Sequence, residues 1–198
     1  MDNYERITEG FQETIDAVTQ SVDVLAQPME LATSLLVNAL LNEGKVMCCG
    51  TGSNAAMAQL MVSSLLNRFE HERPGLPAIN LCSDAATLAA ISSTYSINDI
   101  FSKQIRALGQ SADILIAISN ESSNSSIIQA ISAAHERGIT VISLSGGSSL
   151  DVPSLLLPED IELVVSAVRA PRITEVHAMV IHQLCELIDH ALFGTYES

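Results

Sequence analysis

Apolar residues recur at Ile7, Phe11, Ile15, Val18, Val22 and Leu25, in steps of three and four. That spacing puts them on one narrow stripe of an amphipathic helix. Pro28 then reads as the start of a second helix through Leu31, Leu35, Leu36, Ala39 and Leu40, ending near Gly44. From Val46 the pattern changes to short, nearly all apolar runs at 46–49, 76–81, 113–119, 139–144 and 160–165. Runs of this kind suit strands buried on both faces. Helical stretches separate them at 54–69, 84–92 and 99–108. Another passes through Ile127, Ile128, Ile131 and Ala134 and is closed by Gly138. The last, 172–192, carries Ile173, Val176, Val180, Leu184, Leu187 and Ile188 on its apolar face. Strands alternating with helices predict an α/β fold, a doubly wound five-stranded parallel sheet with an N-terminal helical extension. A chain of 198 residues suits one domain. Residues 44–198 form its α/β core, and the helices of 1–43 either cover the sheet or pack against copies of themselves.

The first strand runs into Gly50-Thr51-Gly52-Ser53-Asn54 and then a helix. Unpaired N–H groups and the dipole at a helix N-terminus favour an anion, so this turn has the build of a phosphate or sugar-phosphate pocket. Ligands of doubly wound folds bind beyond the carboxyl ends of the strands. The expected mouth is therefore lined by 50–54, Ser83 and Asp84, 119–124 and 145–148. Gly50-x-Gly52-x-x-Ala55 also matches a dinucleotide pattern, but the acid expected about 20 residues further on is missing, and Asp84 comes too late. Dinucleotide binding is rejected.

A formal net charge of −14 argues against direct nucleic-acid contact, which needs a basic surface. Partners are then proteins or small molecules. Cys48, Cys49, Cys82 and Cys185 show no metal spacing and read as reduced residues of a cytosolic protein. No apolar run approaches the ~20 residues of a membrane span, and the acidic N-terminus lacks an apolar signal core. A cytoplasmic location is expected.

Several stretches carry a more specific signal. They are Gly44-Lys-Val-Met-Cys-Cys-Gly-x-Gly52, Asn67-Arg-Phe-Glu-x-Glu-Arg-Pro-x-Leu-Pro-Ala78, Phe101-Ser-Lys-Gln-Ile-Arg-Ala-Leu-Gly109, Asp113-Ile-Leu-Ile-Ala-Ile-Ser119, Leu155-Leu-Leu-Pro-Glu-Asp-Ile-Glu162 and Arg172-Ile-x-Glu-Val-His177. Together they resemble the SIS (sugar isomerase) domain family, flavodoxin-like in topology, and within it the phosphoheptose isomerase branch, over nearly the whole chain. The resemblance implies one of two occupations. One is zinc-dependent isomerisation of sedoheptulose 7-phosphate. The other is that of a non-enzymatic relative, the DnaA initiator-associating protein (DiaA), a tetramer that binds the replication initiator DnaA.

Departures from the family pattern decide between them at this level. The family's Gly-Asn-Gly-Gly-Ser turn, whose Asn and Ser hold substrate, here reads Gly50-Thr-Gly-Ser-Asn54. The resemblance places zinc ligands at four positions, a His and a Glu four residues apart on one helix face and a Gln and a His on the last helix. Here they are Leu60, Ser64, Thr174 and His182, so only His182 is kept and no zinc is expected. In the phosphate loop, family serines become Glu121 and Asn124 while Ser119 survives, and a carboxylate there repels a phosphate. An Asn-Asp pair becomes Ser93 and Thr94, and an acid becomes Pro171.

Plainer readings stand beside each candidate. His182 is a leftover pocket histidine rather than an acid–base. His177 and Glu175 form a structural or interface pair, and Glu121 caps the helix that follows it. The run Ser122–Ser126 lacks the strained elbow and the His–Asp pair of a serine nucleophile. What remains is a residual ligand pocket of Thr51, Gly52, Ser53, Asn54, Asp84, Ser119, Glu121 and Asn124. Leu192 and Phe193 match a Leu-Phe pair that contacts the initiator in DiaA; the plainer reading is tail packing onto a neighbouring subunit. The expectation is a non-catalytic homotetramer that binds DnaA through Leu192 and Phe193. The alternatives are a phosphoheptose isomerase, or a sugar-phosphate sensor without turnover.

Overall fold

The computed structural model describes residues 2–120, 124–147 and 152–194. Its first element, α1 (Asn3–Leu41), opens with a reciprocal cap. The Asp2 carboxylate accepts from the Glu5 N–H at 2.8 Å, and the Glu5 carboxylate accepts from the Asp2 N–H at 3.0 Å. The helix then runs unbroken for 39 residues, which corrects the expectation of two helices divided at Pro28. A proline inside a helix removes one backbone hydrogen bond and crowds the preceding turn. Here Leu25, Ala32 and Leu36, on either side of Pro28, are all buried, and their packing carries the helix across the defect. The continuous helix is also long and apolar enough to cross a membrane, against the expectation that no run is. In this fold its Ala32, Leu36 and Ala39 lie in the core.

The remaining elements follow in α/β alternation. They are β1 (Val46–Gly50), α2 (Ser53–Leu66), β2 (Ala78–Asn80), α3 (Ala85–Thr94), α4 (Ser102–Leu108), β3 (Ile114–Ile118), α5 (Ser125–Glu136), β4 (Thr140–Gly146), β5 (Ile161–Val165) and α6 (Ala170–Phe193). The five strands are parallel, in the order β2-β1-β3-β4-β5. This is the expected doubly wound sheet with its helical extension. Side chains alternate across it. Val46, Cys48, Ile116 and Leu144 pack with α1, α2 and α6, while Met47, Cys49, Leu115 and Val141 pack with α4 and α5.

Some boundaries move for local reasons. The expected helix at 99–108 begins as a 3-10 turn, Ile97–Asp99, before α4 proper. α2 ends at Leu66 because Asn67 leaves helical geometry, with φ −94° and ψ −93°. α6 starts two residues early, its first turn holding Pro171, where the missing N–H leaves no bond unmade.

Two buried carboxylates fix the amino ends of the strands. Asp113, just before β3, accepts from Lys45 Nζ (2.6 Å) and from the N–H groups of Lys45 (3.0 Å) and Gln110 (2.7 Å). Asp160, just before β5, accepts from the Val141 N–H (2.7 Å) and the Leu157 N–H (2.8 Å) and pairs with His135 at 2.7 Å. A third clamp joins α2 to α6. The buried Arg73 guanidinium donates to Asp189 (2.8 Å) and to the carbonyls of Ser64, Leu65 and Pro74.

Candidate functional site: a polar mouth at the carboxyl ends of the strands

The turn after β1 is tight because it has to be. A Cβ on Gly50 would lie 2.6–2.8 Å from Asn54 atoms, so only glycine lets α2 begin this close to the strand. Gly52 then takes φ +58°, a left-handed conformation that side chains resist. It is the N-cap of α2, and no side chain caps that helix. Of its early amides, Asn54 N–H donates to the Thr51 carbonyl (3.0 Å) and Ala55 N–H to the Gly52 carbonyl (3.2 Å). The positive end of the α2 dipole therefore faces the mouth without a side-chain cap.

Neutral amides and hydroxyls knit this mouth together. Asn54 Nδ2 donates to Asn120 Oδ1 at 3.1 Å, and Asn120 Nδ2 donates to Thr174 Oγ1 at 3.2 Å. The Thr174 hydroxyl donates back to the Ala170 carbonyl (3.0 Å) and lies 3.5 Å from Ser53 Oγ. Beside them Asn124 Nδ2 donates to Thr51 Oγ1 at 2.6 Å. This chain of contacts ties α2, the end of β3, α5 and α6 to one another. Asn54 Oδ1 is buried with no hydrogen-bond partner, an acceptor left over in a polar place.

Of the expected pocket residues, Thr51, Gly52, Ser53, Asn54 and Asn124 converge here. Ser119 is buried at the end of β3, its N–H donating to the Leu144 carbonyl at 2.9 Å. Asp84 serves as the N-cap of α3: its carboxylate accepts from Thr87 Oγ1 (2.6 Å) and the Thr87 N–H (3.1 Å), which lowers its pKa. Glu121 lies outside the described residues, and the helix cap expected of it belongs instead to Asn124, whose Oδ1 accepts from the Ile127 N–H at 3.3 Å. Asn120 falls inside the expected mouth at 119–124 without being named among its pocket residues, and Thr174 was named only at a metal-ligand position. A polar residue directly after a buried strand, and a hydroxyl in the second turn of the last helix, were the signals available.

The expected His177–Glu175 pair does not form, since residues two apart on a helix point in different directions. Glu175 instead accepts from Thr14 (2.6 Å) and pairs with Arg172 (2.9 Å). The His177 ring is fully buried and within 3.2 Å of the Ser145 carbonyl through Nε2. Burial pushes its pKa down to about 4, so the ring is neutral and Nε2 carries the donated proton. Burial likewise raises the thiols of Cys48, Cys49, Cys82 and Cys185, all of them free. Near the chain end, Leu192 packs against the core, while the Phe193 ring sits 5.9 Å from the Arg73 guanidinium and stays partly exposed.

The zinc set implied by the family fails on its donors. Leu60 is apolar and packs on the core. The Ser64 carbonyl is taken by Arg73, and the Thr174 hydroxyl belongs to the network above. The His182 ring packs against Phe69, 5.7 Å between centroids. Among the described residues no group of three or more His, Cys, Asp or Glu side chains is arranged to hold a metal. The residues present do not fit zinc.

A five-stranded parallel sheet in this order, with a glycine turn and a hydroxyl–amide mouth at its carboxyl end, is the framework of a sugar-phosphate domain. The SIS domain model matches residues 10–146, and the chain belongs to that family. Within it the chain falls in the phosphoheptose isomerase branch. The phosphoheptose isomerase of Chromohalobacter salexigens is 47% identical over 197 residues, covering all of both chains. The solved phosphoheptose isomerase of Francisella tularensis aligns with TM-score 0.93 at 38% identity, over 96% of this chain and 100% of that one. The one from Neisseria gonorrhoeae gives TM-score 0.90 at 35% identity, over 95% and 99%. These relatives correct the expectation of a non-catalytic, initiator-binding protein. That expectation took altered ligand positions as lost activity, whereas similarity over the full chain runs to isomerases.

Proposed function

We propose that this protein is a phosphoheptose isomerase, interconverting sedoheptulose 7-phosphate and D-glycero-D-manno-heptose 7-phosphate. The observation that carries the reading is identity of 41–47% along essentially the whole chain to proteins of that name. The mouth supports it chemically. A polyol both donates and accepts at every hydroxyl, and Ser53, Asn54, Asn120 and Thr174 present the same mixed, uncharged set. Ketose–aldose exchange moves a proton between neighbouring carbons and builds negative charge on an oxygen. Amide and hydroxyl donors, with the α2 N-terminus behind them, are suited to hold that oxygen.

A second reading has its own observation. The Asn54–Asn120–Thr174 network includes no carboxylate or imidazole to carry the proton, which favours a protein that binds the sugar phosphate without turning it over. Incubation with sedoheptulose 7-phosphate, followed by NMR, separates the two. Conversion above a no-protein blank supports the isomerase. A ligand-induced rise in melting temperature without conversion supports the binder. Neither conversion nor shift, from folded protein, removes both.

The surface of α1 supports a homotetramer. Tyr4, Ile7, Phe11 and Ile15 are each more than half exposed on its first turns. They continue toward an apolar groove of about 250 Å³ between α1 and α6, lined by Val22, Leu25, Met29, Met179 and Leu187. An apolar strip of this length is unusual on a monomer, and a second copy carries the matching strip. Light scattering of the wild type should give four chains, and Phe11→Glu should lower that number.

A further inference from the structure

We infer that this chain carries no resident zinc between α2 and α6, where its relatives' pattern would place one. The inference uses the proposed function only in choosing the substrate for its test.

Zinc in proteins is held by thiolate, imidazole or carboxylate, with about three protein ligands even where a position is left open. Leu60 supplies no donor at all. Ser64 and Thr174 supply neutral hydroxyls, which bind zinc poorly without deprotonation. Only His182 has a suitable atom, and its ring packs against Phe69 rather than facing a cluster of donors. Each altered side chain also has another use in this fold. Leu60 joins the core, the Ser64 side chain is hydrogen-bonded to the Cys185 thiol, and Thr174 accepts from Asn120 at 3.2 Å. These roles reinforce one another, because Arg73 and Asp189 lock the end of α2 to α6 while Asn54, Asn120 and Thr174 lock their beginnings. The seam between the two helices is closed by hydrogen bonds and packing, without a metal.

The chemistry follows. A substrate oxygen that acquires charge here would be met by the Asn120 amide, the Ser53 hydroxyl and the α2 N-terminus. Such donors act by fixed dipoles, so their effect does not change with chelator.

The test is made on the full-length protein purified from zinc-supplemented culture, with metal content, melting temperature and sedoheptulose 7-phosphate conversion read on the same sample. Expected are zinc well below one per chain, a melting temperature unmoved by zinc or EDTA, and any conversion unmoved by EDTA. About one zinc per chain, removed by His182→Ala and by EDTA with a lower melting temperature, would overturn the inference. Conversion that needs that zinc would overturn it too while leaving the isomerase reading intact. A zinc-free, folded protein without conversion would uphold it and sink that reading instead. A reciprocal variant, Leu60→His with Ser64→Glu and Thr174→Gln, should gain about one zinc per chain by restoring the donor set. If that variant does not fold, the wild-type measurements still decide.

Discussion

The two ends of the sheet are built from opposite kinds of chemistry. At the amino ends of the strands, buried carboxylates of Asp113 and Asp160 are saturated by backbone N–H groups, a lysine and a histidine. At the carboxyl ends, amides and hydroxyls hold one another, one helix begins without a side-chain cap, and Asn54 Oδ1 has no partner. Charge is used where nothing needs to change, because a fully paired buried ion is rigid and expensive to disturb. The candidate site keeps neutral groups with spare hydrogen-bonding capacity, which can exchange partners.

This contrast predicts different outcomes for changes at the two ends. The largest effect is expected for Asp113→Ala, which leaves Lys45 and two backbone amides facing a hole. Denaturant unfolding should show a loss of about 3–5 kcal/mol, with ligand affinity per folded molecule unchanged. A comparable loss of affinity would break the contrast.

Next comes pH. His177 titrates at about 4 when folded and 6.5 when free, so between these values the unfolded chain binds the extra proton. Its contribution is intact above about pH 7 and is lost as pH falls through 6.5 toward 4, about 3 kcal/mol in all. His177→Gln should flatten that part of the stability profile, and an unaltered profile would show that the ring is not held neutral.

Smaller in stability but larger in function is Gly50→Ala. The added methyl collides with Asn54, so α2 must shift, costing about 1–3 kcal/mol and abolishing the melting-temperature rise on adding sedoheptulose 7-phosphate. The smallest change in stability is expected for Asn120→Ala, about 1 kcal/mol for lost neutral hydrogen bonds. Its effect on ligand binding should exceed tenfold, the reverse of Asp113→Ala.

The strands β1, β3 and β4 were legible because each is an apolar run buried on both faces, a pattern that depends on neighbours in sequence alone. Pro28 misled for the opposite reason. Its local signal is a helix start, and only Leu25, Ala32 and Leu36 packing on distant strands shows the helix continuing. The glycine turn was readable from Gly50 and Gly52. The network itself was not readable, since Asn120 and Thr174 are 54 positions apart and meet only after the sheet has formed. Leu192 packs on the core, while Phe193 is exposed beside Arg73. The inference from altered ligands to a lost trade went too far, because residue types at a few positions do not outweigh similarity across the chain.

The most direct test of the account is conversion of sedoheptulose 7-phosphate by wild type and Asn120→Ala, side by side, with melting temperatures recorded. The account predicts conversion by the wild type and at least a tenfold loss in the variant with little change in melting temperature. Folded wild-type protein that leaves the substrate untouched, or a variant that converts it equally well, would contradict the claim that the neutral mouth is the working site.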